Sequence, residues 1–381
     1  MTSAPMACLL RKHHIEVQKV PLQEVFLLSH LPQEIFRRVI NNHTMSLPTH
    51  FDVPAKGGKT LKIPSVGFGT WAAGDKSWAK DATLEALKAG YRHLDCAWMY
   101  GVDGAVGEAI KESGIPREEI WVTSKFWPHF GHPGDVELCL DKILKGMGLD
   151  YIDLYLSHWP AVFNAKSREA LEKADATQED KGIVFESEGK PSVDWSHSPA
   201  SLAQAKGEKG SFEKTWKAME QCVNIGKTRT IGLSNFSVRE IEELLPTVGD
   251  VPISANQVEV HPWLPQNKML ELGKKHKILI ECYSPFAGQK KDGATLLKDQ
   301  AVGELAKKNN MDVGQLLQSW AVQRGTSPLG KSQTPSRIKS NLDIRKLSAE
   351  DMKALDDMAL PNDSGRTVDP REGWDIPMFK D

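Results

Sequence analysis

Four residues near the ends of apolar runs, Asp95, Tyr100, Lys125 and His158, are of types that together could move a proton onto or off an oxygen. A tyrosine ordinarily keeps its proton up to about pH 10, so it shuttles protons near neutrality only where something favours the phenolate. The ammonium of Lys125 would do so, Asp95 would orient that lysine and keep it charged, and His158 would hold a substrate oxygen. Such a relay is aimed at a carbonyl or alcohol oxygen. The same four residues would also serve as a buried Asp–Lys ion pair beside a core tyrosine and histidine, and spacing alone leaves that alternative open.

Further polar signatures follow the other apolar runs: Thr70–Trp71, Ser234–Asn235, Asn256–Gln257, Tyr283–Ser284 and Lys331–Ser332. The last leads to Pro335 and Arg337, where a helix starting at the proline would put two cations and hydroxyls around its N-terminus. Helix N-termini with added Lys and Arg are ready anion sites, and phosphate is the natural occupant. A solvated basic turn is the alternative for this segment.

The elements that would carry these side chains are short, β-branched runs at 63–68, 93–97, 120–124, 151–156, 230–233, 254–258, 278–282 and 326–329. Helical spacing fills the intervals at 81–89, 104–112, 136–146, 212–225, 238–245, 267–276 and 313–324. Repeated βα units imply a parallel sheet, because parallel neighbours need a crossover of helical length, and eight units are the number that closes a (β/α)8 TIM barrel. The polar signatures then converge on its C-terminal mouth. A charged, mixed-sign insertion at 162–211 and a Lys/Gly-rich loop at 285–300 also follow strand ends; the insertion reads as a flexible surface loop, with a lid as the alternative.

Residues 49–381 read as a single barrel domain and residues 1–48 as an N-terminal extension. Within the extension, 31–40 has helical spacing after Pro32 and resembles the opening of an F-box. A disordered extension, a start at Met45 or an adaptor segment would each account for it.

Composition narrows the function classes. At 381 residues, with 40% hydrophobic and 26% charged side chains, the chain has the make-up of an ordinary globular protein. Lys and Arg number 48 against 50 Asp and Glu, so no net charge draws it to nucleic acid or an anionic membrane. The cysteines, Cys8, Cys96, Cys139, Cys222 and Cys282, are odd in number and show no zinc spacing, and the expectation is a soluble cytoplasmic protein without a metal.

At the strand-end residues the chain resembles the aldo-keto reductase superfamily, over about 63–341. The resemblance rests on GFGTW at 67–71, DCAWMYG at 95–101, VTSKFW at 122–127, LSHWP at 156–160, GLSNF at 232–236, NQVEVHP at 256–262, YSP at 283–285 and Lys331-Ser332. It implies an NADPH-dependent barrel enzyme that reduces aldehydes or ketones, with Tyr100 as general acid, Lys125 and Asp95 as its tuning pair and His158 orienting the carbonyl. It also implies cofactor contacts from Thr70, Trp71, Ser234, Asn235, Gln257, Tyr283 and Ser284, and a grip on the 2′-phosphate and adenine from Lys331, Ser332, Arg337 and Asn341. The substrate pocket would be walled by Trp71, Trp98, Met99, Trp127 and Trp159, with Trp374 and Phe379 of the tail. Departures from the family pattern are Ala72 where a Lys is common, Trp98 for His, Pro328 in the eighth run and Ser340 for Glu.

A small-molecule carbonyl or alcohol substrate and a monomer are the expectations that go with this resemblance. A different class of function also fits: an NADPH-binding regulatory protein of weak turnover, resembling the channel β-subunits of the same superfamily. A metal-dependent barrel hydrolase fits poorly, since one His and one Asp beside a Lys is a thin ligand set.

Overall fold

The computed structural model describes residues 46–379 apart from 72, 188 and 289–292. The expectations for residues 1–44, the F-box-like stretch among them, lie outside the described residues. Eight parallel strands close into a barrel: β3 (Gly67–Gly69), β4 (His93–Asp95), β5 (Trp121–Phe126), β6 (Ile152–Ser157), β9 (Thr228–Ser234), β10 (Ile253–Glu259), β11 (Leu279–Tyr283) and β12 (Ser327–Gly330), with β12 pairing back onto β3. Strands β5, β6 and β10 are buried along their whole length, as expected of strands covered on both faces.

Amphipathic helices surround the barrel. The helix Val136–Met147 buries Val136, Cys139, Leu140, Ile143, Leu144 and Met147, an i, i+3, i+4 stripe, and stops at Gly148 in the left-handed region. Its neighbour Asp103–Ser113 approaches so closely that a Cβ at Gly107 would stand 2.1 Å from the carbonyl oxygen of Met147, so only glycine serves there. Most helices lie within one or two residues of their expected bounds. The helices Gln300–Lys308 and Ala349–Asp356 were not expected from periodicity.

Three expectations are corrected. The run at 63–68 is not one strand: Ile63 belongs to β2 (Lys59–Pro64), the chain turns at Ser65–Val66, and the barrel strand is only Gly67–Gly69. Strand β2 pairs with β1 (His50–Ala55) as an antiparallel hairpin, whose Phe51, Val53, Leu61 and Ile63 pack with Trp121, Leu154, Leu156, Ala255 and Leu279 of the barrel strands. Second, the insertion is folded rather than a flexible loop. Ser167 caps the helix Arg168–Lys173, β7 (Phe185–Ser187) and β8 (Lys190–Pro191) form a small hairpin, and Phe163, Ile183 and Leu202 are buried against Trp159 and the tail residues Ile376 and Met378. Its charged residues mark the outer face, and its few spaced apolar residues are what hold it down. Third, the expected loop at 285–300 holds a 3-10 turn at Leu296–Lys298 and ends where the helix Gln300–Lys308 begins.

Pro328 is accommodated in a four-residue β12 that keeps only two registered pairs with each neighbour, so little ladder depends on its missing N–H. Among the described residues no helix is long and apolar enough to cross a membrane.

Candidate active site

The strand order brings Asp95 at the end of β4, Lys125 near the end of β5, Tyr100 in the 3-10 turn Trp98–Tyr100 and His158 just past β6 into one cluster. Lys125 is fully buried, with Nζ 2.8 Å from Asp95 Oδ1, 2.7 Å from the Cys96 carbonyl oxygen and 3.4 Å from the Tyr100 hydroxyl. Those three contacts use the three donors of the ammonium. Burial disfavours the ammonium, and Asp95, through its charge and its hydrogen bond, is the chief of the groups that together outweigh burial and hold the lysine up.

For Tyr100 the balance runs the other way. Burial pushes its hydroxyl up to about 12 and Lys125 pulls against that without prevailing, so at neutral pH the residue is a protonated acid one contact from a cation. The sequence-based expectation that the lysine would bring the phenolate towards neutrality omitted this desolvation. His158 stands edge-on to Tyr100, with ring centroids 5.7 Å apart, and to Trp127 at 5.1 Å. Burial, with Lys125 adding to it, pulls the imidazole well below its usual range, so it is neutral.

A second group of polar side chains adjoins the first. Asn235, in the left-handed region at φ 65°, donates from Nδ2 to the carbonyl oxygen of His158 at 2.9 Å and accepts from the Tyr283 hydroxyl at 2.7 Å. Ser234 donates to the Gln257 carbonyl oxygen at 2.8 Å, and Thr70 donates to that of Asp95 at 2.8 Å. Ser284, also at positive φ, follows Tyr283 at the turn out of β11. Gln257 spends its amide nitrogen on two carboxyl groups, Asp95 at 2.8 Å and Glu281 at 3.0 Å.

Beyond β12, Lys331 lies 4.8 Å over the Trp78 ring, and Ser332 accepts from the backbone N–H of Thr334 at the start of the helix Pro335–Leu342. That helix carries the exposed Arg337 and, a turn further on, the buried Asn341. No carboxylate pairs with Lys331 or Arg337 among the described residues. Two cations left without acids beside a helix N-terminus, with hydroxyl and amide groups at the mouth, form a donor set that fits a nicotinamide dinucleotide with an extra phosphate.

The aromatic residues divide. Met99, Trp127 and Trp374 line a cavity of about 810 Å³ whose other wall is the insertion, through Phe163, Ile183 and Phe185. Trp159 is buried beside it, edge-on to Trp374 at 5.1 Å. Trp98 is 3% exposed and packs in the core on His129 and Phe130, whereas Trp71 is 59% exposed. Phe379 lies on Arg366, 3.7 Å from its guanidinium carbon. Among the described residues no three His, Cys, Asp or Glu side chains are placed to hold a metal ion.

Of the buried carboxyl groups that escaped the sequence reading, two lie on β10 and β11. Glu281 lies within the apolar run at 278–282, where a lone acid in a strand buried on both faces was the available signal. Glu259, at the end of β10, accepts from His261 and from Thr367 and Val368 of the C-terminal tail, and so ties that tail to the barrel. Burial would raise its carboxyl, but these hydrogen bonds outweigh it and hold the group low. A carboxyl lowered in the folded state stabilises the fold above its unfolded value of about 4.3, and that contribution is lost as pH falls through the folded value. Glu259→Gln is therefore expected to cost about 2 kcal/mol at pH 7, and its gap from wild type to shrink at acid pH. Urea midpoints at pH 7 and pH 4 test this, and an equal gap at both would contradict it.

A parallel eight-stranded barrel with a Tyr–Lys–Asp–His cluster at its C-terminal mouth is the architecture of a class of oxidoreductases. The sequence matches the model of the aldo/keto reductase family over residues 65–359, and the chain belongs to that family. It is 40% identical over 311 residues to the glycerol 2-dehydrogenase (NADP(+)) of Saccharomyces cerevisiae, an alignment covering 81% of this chain and 91% of that protein. An aldehyde reductase of the same yeast is 38% identical over 319 residues, covering 84% of this chain and 94% of the relative. Among solved structures, the aldose reductase from Schistosoma japonicum superimposes with a TM-score of 0.67 at 29% identity, covering 84% of this chain and 94% of that one.

Proposed function

We propose that this protein is an NADPH-dependent reductase of aldehyde and ketone carbonyls. The observation that carries the reading is Lys125, sealed in the barrel and shared between Asp95 and the Tyr100 hydroxyl with neutral His158 alongside. The names of the yeast relatives, an NADP(+) dehydrogenase and an aldehyde reductase, agree with it.

Ser234, Asn235 and Gln257 would hold the nicotinamide end of the cofactor, with Thr70, Trp71 and Ser284 bordering it and Tyr283 presenting its ring. Lys331, Ser332 and Arg337 would take the phosphate and Asn341 the adenine. When bound, the reduced nicotinamide supplies the hydride for the carbonyl carbon. His158, neutral and therefore able to donate without carrying a charge, orients the carbonyl oxygen. Tyr100 gives its proton to that oxygen as negative charge develops on it, and Lys125 stabilises the phenolate left behind. Asp95 keeps Lys125 charged throughout. In the oxidative direction the same groups run in reverse, which needs the phenolate and so favours higher pH.

The cavity beside His158 is walled by Met99, Trp127, Phe163, Ile183, Phe185 and Trp374, and it suits an aldehyde or ketone with an apolar or ring-like body. The test is NADPH oxidation by purified protein across aromatic, aliphatic and sugar aldehydes, repeated with NADH. Turnover with at least one carbonyl class is expected. Binding of NADPH without reduction of any carbonyl would favour a regulatory binding protein instead.

Cofactor choice gives a separate prediction. The variant Lys331→Met/Arg337→Met is expected to weaken NADPH binding by about 10- to 100-fold, the worth of one or two charge-assisted hydrogen bonds, and to leave NADH binding nearly unchanged. Fluorescence titration with both nucleotides reads it, and an equal loss for both would remove these residues from the 2′-phosphate.

A further inference from the structure

Beneath the Tyr100–Lys125–Asp95 group the barrel holds a second carboxyl that the reaction as described does not use. Glu281, from the middle of β11, is fully buried, and its Oε2 accepts from Gln257 Nε2 at 3.0 Å. The same nitrogen donates to Asp95 Oδ1 at 2.8 Å, the oxygen that Lys125 holds. One amide nitrogen thus lies between two carboxyl groups, one paired with the ammonium and one without a counter-ion of its own. The other oxygen of Glu281, Oε1, has no hydrogen-bond partner and lies 3.6 Å from His93 Nε2, itself fully buried. His93 is held neutral by burial.

We propose that Glu281 is a positioning residue of the reaction, acting through the Gln257 amide on Asp95 and Lys125 and setting the charge beneath Tyr100. This rests on the reductase reading above. The titratable groups facing Glu281 are His93 and Asp95 from β4 and Lys125 from β5, which in turn contacts Tyr100; β3 and β12 bring none, and Gln257 is the polar side chain from β10. With Asp95 and Lys125 already charged, an ionised Glu281 would leave two carboxylates against one ammonium in a sealed space. Burial, with Asp95 adding to it, pushes the Glu281 carboxyl up to about 8, so it is neutral at pH 7. A neutral Glu281 leaves Lys125 compensated by Asp95 alone and the lysine's field free to favour the phenolate. An ionised Glu281 adds negative charge under the tyrosine, which disfavours the phenolate.

Its consequence falls on the oxidative direction. For wild type, kcat for alcohol oxidation is expected to climb as Tyr100 yields its proton and then to bend downwards near pH 8. In Glu281→Gln, which keeps the contact to Gln257 and cannot ionise, the bend is expected to vanish, leaving kcat above pH 9 on the order of three- to tenfold above wild type, the effect of up to one pH unit on the tyrosine. Glu281→Asp is expected to restore a bend. The independent readout is infrared titration of the cofactor-free protein between pH 6 and pH 10. A protonated-carboxyl band should disappear on ionisation in wild type and be absent from Glu281→Gln, with Asp103→Asn as control for the other buried carboxyl that burial raises.

The infrared experiment needs no turnover, so a protein that reduces no carbonyl yet shows the band has lost the reductase reading while keeping the buried neutral acid. A wild type without any carboxyl band titrating in that range overturns the inference even where the variant fails to fold. So does a Glu281→Gln enzyme whose oxidative pH profile matches wild type.

Discussion

Tyr100→Phe is expected to lower kcat for carbonyl reduction by about 10²- to 10⁴-fold, the usual worth of a positioned general acid, while NADPH binds as in wild type. The hydroxyl is 3.4 Å from Lys125 Nζ, and the ring makes its own contacts with His158 and Lys125. Phenylalanine keeps the ring and removes only the proton donor. The stability cost should be small, because Lys125 retains Asp95 and the Cys96 carbonyl oxygen. Steady-state kinetics give kcat, and fluorescence titration gives the nucleotide affinity. A variant within tenfold of wild type would remove Tyr100 from the role of acid, and His158, neutral beside it, would become the next candidate.

Much of this site was legible in the sequence because a barrel turns order along the chain into convergence in space. Once eight apolar runs are read as parallel strands, residues as distant as Asp95 and Gln257 must meet at one mouth, and they do, at 2.8 Å. What was not legible has physical causes. The hairpin β1–β2 carries weak alternation, Phe51, Val53, Leu61 and Ile63 around Lys56–Gly58, and its role as a floor under the barrel exists only once the barrel is closed. The insertion was misread because charge dominates its composition, while a few apolar side chains, Phe163, Ile183 and Leu202, fix it in place. The burial that opposes Lys125 at Tyr100 was not legible because proximity to a lysine can be inferred from strand order, whereas the depth of desolvation depends on everything packed around the pair. Trp98 shows the same limit: two residues before Tyr100 in sequence, it points into the core against His129 and Phe130.

Asp95→Ala is expected to reduce stability by about 3–5 kcal/mol, the usual cost of leaving one member of a buried ion pair without its partner. The wild-type pair has Lys125 and Asp95 both buried at 2.8 Å. A lysine whose folded value is raised contributes stability that is fully present below its unfolded value of about 10.4 and is lost only as pH rises through the folded value, so near neutrality the wild type holds all of it. With Asp95 gone the sign reverses. Burial becomes the dominant influence on Lys125, the ammonium is favoured in the unfolded chain, and lowering the pH should destabilise the variant relative to wild type. Glu281 softens the loss, since Asp95 is one of the groups that keeps its carboxyl raised and Gln257 links the two, which places the expected cost towards the lower end. The double variant Asp95→Ala/Lys125→Met separates a lost attraction from a stranded charge: removing the lysine as well should return most of the stability, because an apolar chain suits that interior better than an unpaired ammonium. Urea unfolding of the single and double variants between pH 6 and pH 9 reads the difference. Losses that simply add, or a single variant whose deficit does not grow at lower pH, would mean that Lys125 finds its compensation elsewhere in the barrel, and Glu281 would be the first group to examine.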